Sequence, residues 1–402
     1  MNNIQEISPQ VFWVGGSDRR LQRFENMLPL PNGMAYNAYL IADQKTALLD
    51  TADASVYEAF LENVEQALAG RKLDYLIITH MEPDHCAALE EIIRRYPDVQ
   101  VVGNEKTFQL FGQYYDAGLI GNRLLVKEKD ELRLGSHTLR FYLAPMVHWP
   151  EVMFCYETSR GILFSADAFG AFGAHAGNLF ADEVSFENGY LDDARRYYSN
   201  IVGRFGPQVQ AVLKKLAAED IRMICPLHGL VWRKDLDYIL EKYNRWSLYE
   251  PEQQGVLILY ASMYGNTENA INALAAKLAQ KGVPDMRMYD VSNTHPSFLI
   301  SEVWRYSHLV LAAPTYNLHL YFPMDTLLRE LASLNLKNRK VAVIGNHSWA
   351  SAAMKKMLEH LEGMKGIEIV GTPMDIRSSL KVEQEGELDA LADAICASLK
   401  GE

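Results

Sequence analysis

Four potential metal ligands lie within six residues of this chain. The segment His80-Met-Glu82-Pro-Asp84-His85 directly follows residues 75–79, an apolar run that is typical of a buried strand. Imidazole and carboxylate groups are common ligands of divalent metals. Their density on one loop, at the end of one strand, therefore predicts a metal site.

Three further residues of the same chemical types follow at long intervals. His148, Asp167 and His228 each end a hydrophobic stretch, and loops that leave strands can converge on one rim of a sheet. The seven residues comprise four imidazoles and three carboxylates, without a thiolate. This mixture suits iron or manganese, whereas closed structural zinc sites favour Cys. A carboxylate can bridge two ions, and we assign that role to Asp167.

The constellation resembles the metallo-β-lactamase fold, whose hydrolases usually carry His-x-His-x-Asp-His. Glu82 stands in place of the second His. The resulting pattern, followed by His, Asp and His on later loops, is similar to that of the flavodiiron proteins. The resemblance implies an αββα sandwich with two non-haem irons. It also implies that His80, Glu82 and His148 hold one iron, that Asp84, His85 and His228 hold the other, and that Asp167 bridges them.

A second group of polar and aromatic side chains follows strands in the last third of the chain. Apolar runs at 256–260, 286–289, 309–313, 341–344 and 367–370 predict strands, and a helical stretch follows each of the first four. This alternation favours a parallel sheet, which in the order 2-1-3-4-5 binds its ligand at the carboxyl ends of the strands around the switch point. The candidate binding residues follow the first, third and fourth strands: Ser262, Met263, Tyr264, Gly265, Asn266, Thr267, Pro314, Thr315, Tyr316, Asn317, Asn346, His347, Ser348 and Trp349.

The loop at 262–267 joins hydroxyls and a glycine at a predicted helix N-terminus, where unpaired N–H groups bind phosphate. Alone, this loop is equally an ordinary capped turn. Tyr316 or Trp349 could stack on a flat ring. Together the three loops resemble flavodoxin, and the segment 312–317 is similar to the flavin loop of the flavodiiron proteins, which implies FMN. Ser348 departs from the family, which often has Gly before the tryptophan.

Length and composition predict two globular domains. The chain has 402 residues, and residues 250–255, Glu-Pro-Glu-Gln-Gln-Gly, have the polarity and the breakers of a linker. We expect an α/β protein with a metallo-β-lactamase-like domain over 1–249. A flavodoxin-like domain, a doubly wound parallel five-stranded sheet, is expected over 256–402.

Charge and cysteine usage exclude several classes of protein. The formal net charge of −12 argues against a nucleic-acid binder, and no apolar run is long enough to predict a membrane span. Four cysteines without a Cys-x-x-Cys pair, and an N-terminus without the features of a signal peptide, favour the cytoplasm. The same lack of pairs argues against a fused rubredoxin module.

The resemblance implies a reductase. It would reduce O₂ to two waters with four electrons, or couple two NO to N₂O with two, drawing electrons through FMN from a rubredoxin or a reductase. The resemblance further implies a head-to-tail homodimer, or a dimer of dimers, that places one chain's flavin beside the other chain's iron. Trp149 is a candidate wall of the metal pocket, and Tyr197 or Tyr198 is a candidate hydrogen-bond donor to substrate.

Two other functions stay open at this point. The first is a zinc-dependent hydrolase fused to a flavodoxin, which Glu82 and the carboxylate-rich set disfavour. The second is a non-catalytic FMN electron carrier with a degenerate metal domain, which an intact ligand set disfavours. No role is assigned to Glu25, and His137 and His360 are predicted to be surface residues.

Overall fold

The computed structural model describes residues 3–401, and the chain divides into two compact units between Asn244 and Arg245. The strands of the first unit are β1 (Gln5–Ser8), β2 (Val11–Trp13), β3 (Gly16–Asp18), β4 (Arg23–Phe24), β5 (Leu28–Pro29), β6 (Met34–Tyr36), β7 (Tyr39–Ala42), β8 (Thr46–Leu49), β9 (Tyr75–Ile77), β10 (Gln100–Gly103), β11 (Arg123–Leu125), β12 (Glu131–Arg133), β13 (Thr138–Leu143), β14 (Met153–Glu157), β15 (Ile162–Phe164) and β16 (Met223–Cys225). Its helices are α1 (Tyr57–Leu68), α2 (Pro83–Cys86), α3 (Leu89–Arg95), α4 (Glu105–Tyr114), α5 (Phe186–Gly189), α6 (Leu191–Tyr197), α7 (Gly206–Leu216) and α8 (Leu236–Ser247), the last of which runs past the unit boundary.

Two sheets face each other in the first unit. One has the strand order β1-β2-β7-β8-β9-β10-β11, and the other has the order β12-β13-β14-β15-β16. Apolar side chains of both sheets share one core, for example Trp13 and Ile77 from the first and Phe141 and Phe164 from the second. Helix α1 packs on β7, and α7 packs on β13. This layering is the sandwich predicted from the sequence.

The direction of the central strands explains where the polar loops meet. Strands β8, β9 and β10 are parallel, and so are β15 and β16. Strands β9 and β15 are buried along their whole length, as expected for strands that are covered on both faces. Their carboxyl ends therefore deliver the polar residues that follow them to a rim of each sheet.

The second unit is doubly wound. Its strands are β17 (Gln253–Tyr260), β18 (Met286–Asp290), β19 (Tyr306–Tyr316), β20 (His319–Leu320), β21 (Arg339–His347), β22 (Ile367–Ile369) and β23 (Met374–Arg377), with helices α9 (Asn266–Gln280), α10 (Pro296–Arg305), α11 (Phe322–Ser333), α12 (Ala353–Glu362) and α13 (Glu385–Lys400). The order β18-β17-β19-β21-β22 is the predicted order 2-1-3-4-5. Two short strands, β20 on β19 and β23 on β21, extend the predicted five-stranded sheet to seven.

The segment that joins the units is more ordered than a free linker. Residues 253–255 belong to β17, because Gln253 pairs with Tyr306 of β19 across a bulge. Trp304 donates its indole N–H to the carbonyl of Trp246 at 3.3 Å, and its ring lies 5.9 Å from that of Tyr249. The second unit therefore begins at Arg245, ahead of the Pro and Gly that suggested a boundary at 250–255.

Arg339 ties Tyr249, which lies just before β17, to the rest of the second unit. Its side chain is buried, and its guanidinium group donates hydrogen bonds to five backbone carbonyls. The acceptors are the carbonyls of Tyr249 at 2.7 Å, Val303 at 2.8 Å, Asn338 at 3.0 Å, Lys337 at 3.1 Å and Trp304 at 3.2 Å. Arg339 thus satisfies the last carbonyls of α10 and holds the chain just before β17.

Three other findings concern predictions made from the sequence. No helix within residues 3–401 combines the length and the apolar character that crossing a bilayer requires. The four cysteines are buried and unpaired. His137 and His360 are not the surface residues that the sequence suggested, because His137 is buried 3.2 Å from Glu157, and the half-buried His360 lies 2.8 Å from Asp325.

Each unit contains one buried histidine that the fold keeps neutral. Burial, together with Lys340, lowers the pKa of His308 to about 4, and its ring nitrogens lie 2.8 Å and 3.1 Å from the hydroxyls of Ser307 and Ser398. Burial, together with Arg19, lowers the pKa of His175 to about 4 in the first unit. The folded chain therefore binds these protons only near pH 4, whereas an unfolded histidine binds its proton near pH 6.5.

We predict that His308→Gln flattens the pH dependence of stability of the second unit. Because the unfolded state binds the proton first, the stabilisation is complete above pH 6.5 and is lost as the pH falls from 6.5 to 4. The contribution of this residue to the free energy of unfolding should fall by about 2 kcal/mol between pH 7 and pH 5 in the parent chain. In the variant this fall should be near zero. Pulse proteolysis gives the urea midpoint of each unit at both pH values and so measures this loss of stability.

The control for this prediction is His175→Gln, which should flatten the profile of the first unit only. A second unit that keeps the parental pH slope after His308→Gln would contradict the prediction.

Candidate functional site

The seven ligands predicted from the sequence converge in the first unit. They form two groups, and the ligand atoms within each group lie within 4.8 Å of one another. The first metal group is His80, Glu82, His148 and Asp167, and the second metal group is Asp84, His85 and His228. All seven side chains are buried.

Strand ends and one short helix place these side chains. His80 and Glu82 follow β9, and Asp84 and His85 lie in α2, which begins at Pro83. Proline is well suited to the first turn of a helix, so the chain turns immediately after Glu82. The other three ligands lie on later loops: His148 between β13 and β14, Asp167 after β15, and His228 after β16.

The two carboxylate oxygens of Asp167 face different metal groups. Oδ2 lies 3.0 Å from Nε2 of His148 and 3.4 Å from Nε2 of His80. Oδ1 lies 3.1 Å from Nε2 of His85 and 3.7 Å from Nε2 of His228. One carboxylate therefore lies between two sets of ligands, in the position that a bridge between two ions requires.

The donor atoms have the arrangement of ligands that share an ion. Nε2 of His85 and Nε2 of His228 face each other at 3.0 Å. Both carboxylate oxygens of Asp84 are buried without a hydrogen-bond partner among residues 3–401, although Oδ2 lies 3.3 Å from Nε2 of His228. Buried carboxylates are normally paired or bound to metal. The residues present therefore fit two adjacent metal ions.

Electrostatics of the metal-free cluster support this reading. Burial disfavours a charged imidazole, but hydrogen bonds to Asp167 and Glu82 outweigh it and raise the pKa of His148 to about 9. Burial likewise disfavours the charged carboxylate of Asp167, yet His85 and His80 hold its pKa well below the usual range. In the metal-free protein, protons on the imidazoles thus supply the positive charge between the carboxylates. Binding of metal would release these protons.

Residues that the sequence reasoning missed hold the ligands in place. Glu151 Oε1 lies 2.8 Å from Nδ1 of His80 and accepts the backbone N–H of Met81 at 2.8 Å. Asp50 accepts the backbone N–H groups of Thr79 at 2.7 Å and His80 at 3.2 Å. Partners of this kind orient a ligating imidazole. The available signal was a carboxylate three residues after His148, beside a proline.

Aromatic side chains enclose the cluster. The ring of Trp149 lies 5.4 Å from that of His80. The ring of Tyr197 lies 5.4 Å from that of His228. The Tyr197 hydroxyl is buried without a hydrogen-bond partner in the described part of the chain, and burial raises its pKa well above 10, so it remains a donor. A π-helical turn at Tyr198–Val202 follows it.

A cavity of about 380 Å³ opens beside the first metal group. Glu25 lies at its rim, and Tyr36, Asp53, Glu82 and Asp84 also line it. Burial, together with repulsion from Glu82, raises the pKa of Glu25 to about 7. The sequence reasoning assigned this residue no role, because its proximity to Glu82 depends on the pairing of β4 with β5.

The loops of the second unit form two adjoining cavities at the carboxyl edge of its sheet. The smaller, of about 90 Å³, is lined by Ser262, Met263, Tyr264, Asn266, Thr267, Pro314, Thr315, Asn346, His347, Ser348 and Ser378. The larger, of about 610 Å³, is lined by Met263, Tyr264, Thr315, Tyr316, Asn317, Leu318, Ser348, Trp349 and Ala350. All the candidate binding residues line one cavity or both, except Gly265.

Local hydrogen bonds shape the smaller cavity. Gly265 adopts φ 86° at the N-terminus of α9 and donates its N–H to the hydroxyl of Ser262 at 3.0 Å. This left-handed position favours glycine. Thr315 uses its hydroxyl oxygen to accept the N–H groups of Ala352 and Ala353, both at 3.0 Å, at the start of α12. Thr315 therefore also has a structural role.

The sequence reasoning missed Leu318 and Ala350 in the larger cavity and Ser378 in the smaller one. Ser378 follows β23, the second of two short strands that pair with β21. The predicted fifth strand, 367–370, ends before that loop. The usable signal was the alternation of Met374 and Ile376, which are buried, with more polar neighbours.

Comparison with known families matches each unit separately. A family described as ODP family beta lactamase matches residues 34–229, and the family Flavodoxin matches residues 258–395. The first match contains all seven predicted metal ligands. The second contains the loops of both cavities.

Relatives cover nearly the whole chain. A protein named nitric oxide reductase from Moorella thermoacetica is 32% identical over 376 residues, 93% of each chain. The structure of rubredoxin oxygen:oxidoreductase from Desulfovibrio gigas aligns with a TM-score of 0.91 and 27% identity over 99% of both chains. The flavodiiron protein from Giardia intestinalis aligns with a TM-score of 0.90 over 99% of this chain and 98% of that one; at 24% identity it supports the fold alone.

Proposed function

Because this chain belongs to the flavodiiron protein family, we propose that it is an oxidoreductase that reduces O₂ to water, NO to N₂O, or both. The reduction takes place at a non-haem diiron site, and FMN delivers the electrons. The observation that carries this proposal is the position of Asp167, whose two oxygens face the two metal groups separately. Two adjacent ions can hold both atoms of a diatomic ligand or two small molecules side by side.

The residues of the site have separate proposed roles. We propose that the first metal group and the second metal group each hold one iron, with Asp167 between them. When bound, the irons and the flavin supply the electrons. Glu151 fixes the ring of His80, and Tyr197 offers a proton or a hydrogen bond to the substrate.

The test is paired consumption of O₂ and NO by one reduced, iron-loaded and FMN-replete sample under matched electron supply. Faster loss of O₂ identifies an oxygen reductase, and faster loss of NO identifies a nitric oxide reductase. Loss of neither, with both cofactors bound, contradicts the proposal and favours the electron carrier. Zinc in place of iron in the isolated protein would favour the hydrolase.

We propose that FMN places its phosphate in the smaller cavity and its ring system in the larger one. The small cavity adjoins the N-terminus of α9, where unpaired N–H groups favour the binding of an anion. Tyr316 and Trp349 flank the larger cavity, and Trp349 is 88% exposed, so that it is available to cover a flat ring.

We predict that Asn346→Ala weakens FMN binding about tenfold and riboflavin binding less than about twofold. The amide of Asn346 donates to Thr267 Oγ1 at 3.1 Å and to the carbonyl of Ser378 at 3.1 Å. Because the Thr267 oxygen accepts that bond, its own proton is directed elsewhere, and we expect it to reach the phosphate. Fluorescence titration of the flavin-free protein with both flavins measures the difference.

A matched variant serves as control. Asn317→Ala, in the larger cavity, should weaken both flavins by the same factor. Equal losses of FMN and riboflavin affinity in Asn346→Ala would contradict a role at the phosphate.

Electron supply and assembly are part of the proposal. A rubredoxin-type protein or a reductase is the proposed donor, in line with the name of the Desulfovibrio gigas relative. A head-to-tail homodimer, or a dimer of dimers, is supported by the exposure of Tyr264 and Trp349 around the flavin cavity. A sedimentation mass of one chain would contradict it. The cytoplasm is the proposed location, supported by the unpaired thiols.

A further inference from the structure

The tip of the β4–β5 hairpin has an unexpected residue at a strained position. Met27 donates its N–H to the carbonyl of Phe24 at 2.9 Å, and the two residues between them, Glu25 and Asn26, have φ values of 49° and 53°. Positive φ at both central residues is the pattern of a type I′ turn, in which Asn, Asp and Gly are favoured. Asn26 suits its position. Glu25 does not, and its presence costs conformational free energy.

The side chain of Glu25 reaches the metal cluster. It lines the cavity of about 380 Å³ together with Glu82 and Asp84, one carboxylate from each metal group. The charged groups that act on it are Glu82, His148 and Asp84, which belong to both metal groups. The hairpin thus carries an acidic group to the solvent side of the cluster.

Carboxyl groups that line one cavity repel each other unless positive charge lies between them. A divalent ion is the usual partner of such a pair, because ligating carboxylate oxygens approach one another when they bind the same ion.

The charge balance of the cluster also favours a fourth carboxylate at the metal centre. Glu82, Asp84 and Asp167 supply three negative charges against four positive charges on two ferrous ions, which leaves +1. Buried charge of this kind is costly unless it is compensated. One more carboxylate makes the centre neutral.

We infer that Glu25 is an eighth metal-binding residue, a carboxylate that binds the iron of the first metal group from the solvent side. This inference rests on the proposed diiron centre. Because Glu25 comes from a surface hairpin, it occupies a coordination position that the buried ligands leave open. The strain at the turn is retained because the favoured residues, Asn or Asp, have shorter side chains than Glu.

The test compares Glu25→Gln with Asn26→Gly in the iron-loaded, FMN-replete protein. Glu25→Gln keeps the length of the side chain and removes its charge, whereas Asn26→Gly relaxes the same turn and keeps the carboxylate. The ferrous proteins are mixed anaerobically with an iron chelator, and Mössbauer spectra are recorded before release. We expect Glu25→Gln to lose one iron about tenfold faster or more, with a changed quadrupole doublet for that iron only. Asn26→Gly should behave as the parent.

Two results would overturn the inference. One is parental release rates and spectra in Glu25→Gln. The other is equally fast release in Asn26→Gly, which would assign the effect to the turn and not to the carboxylate.

A further variant guards against a folding defect. Glu25→Asn suits the turn, so the metal-free protein should melt at a higher temperature than the parent while the loaded protein loses iron faster. Slower iron loss together with a higher melting temperature would contradict ligation.

Failure of the proposed function gives a different result. If the parent binds two irons but consumes neither O₂ nor NO, that function is wrong, and the release experiment still tests Glu25. If the parent turns over and Glu25→Gln keeps its irons and spectra unchanged, only the role of Glu25 is wrong.

Discussion

Asp167→Asn is expected to lower turnover by more than about a hundredfold and to lower iron content by about half or more. The Asp167 carboxylate is fully buried, with one oxygen 3.0 Å from His148 and the other 3.1 Å from His85. An asparagine of the same shape offers one oxygen and no charge, so it leaves one metal group without its shared ligand. Metal analysis and gas consumption on the same preparation measure both effects.

The comparison for this change is Asp220→Asn. Asp220 is exposed, lies 2.5 Å from Arg222, and should be replaceable without effect on iron or turnover. Parental iron content and turnover in Asp167→Asn would contradict the bridging role.

The second large effect is expected at Tyr197. Tyr197→Phe should lower turnover about 10- to 100-fold with iron content unchanged, because a buried donor aimed at developing charge contributes on that scale. Its hydroxyl has no hydrogen-bond partner among residues 3–401, and its ring lies 5.4 Å from the His228 ring. Steady-state rates and iron content of the purified variant separate a loss of catalysis from a loss of metal.

Tyr198→Phe provides the control beside it. The ring of Tyr198 packs 5.0 Å from that of Tyr243, and we expect turnover within about twofold of the parent. Equal losses in the two variants would show that the helix, rather than the Tyr197 hydroxyl, is responsible.

Much of the fold could be predicted because local patterns and tertiary structure agree. The apolar runs of the second unit became β17, β18, β19 and β21, and their order is the one expected. The fifth strand was placed incompletely, since β22 and β23 are short pieces that pair with successive parts of β21. The alternation at 374–376 indicates the second piece, but no local pattern shows that both pieces pair with one strand.

The seven predicted metal ligands, which the structure brings together, could be picked out because they are few, chemically distinct and placed at strand ends. The residues that support them depend on pairing at long range. His137 finds Glu157 only because β13 and β14 pair side by side, with Leu139 opposite Glu157. Glu25 reaches Glu82 only through a hairpin whose turn favours other residues. Such partners become visible when the strands are assembled.

The buried Arg339 has a consequence for exchange of modules between related genes. A chimera joined at residue 250 would combine an Arg339 from one parent with the Tyr249 backbone of the other, and it would break the stretch that carries Trp246. A crossover ahead of Arg245 would transfer the guanidinium group together with its carbonyl acceptors. Viable recombinants should therefore have their junctions within α8, ahead of the proline and glycine that mark the border in the sequence.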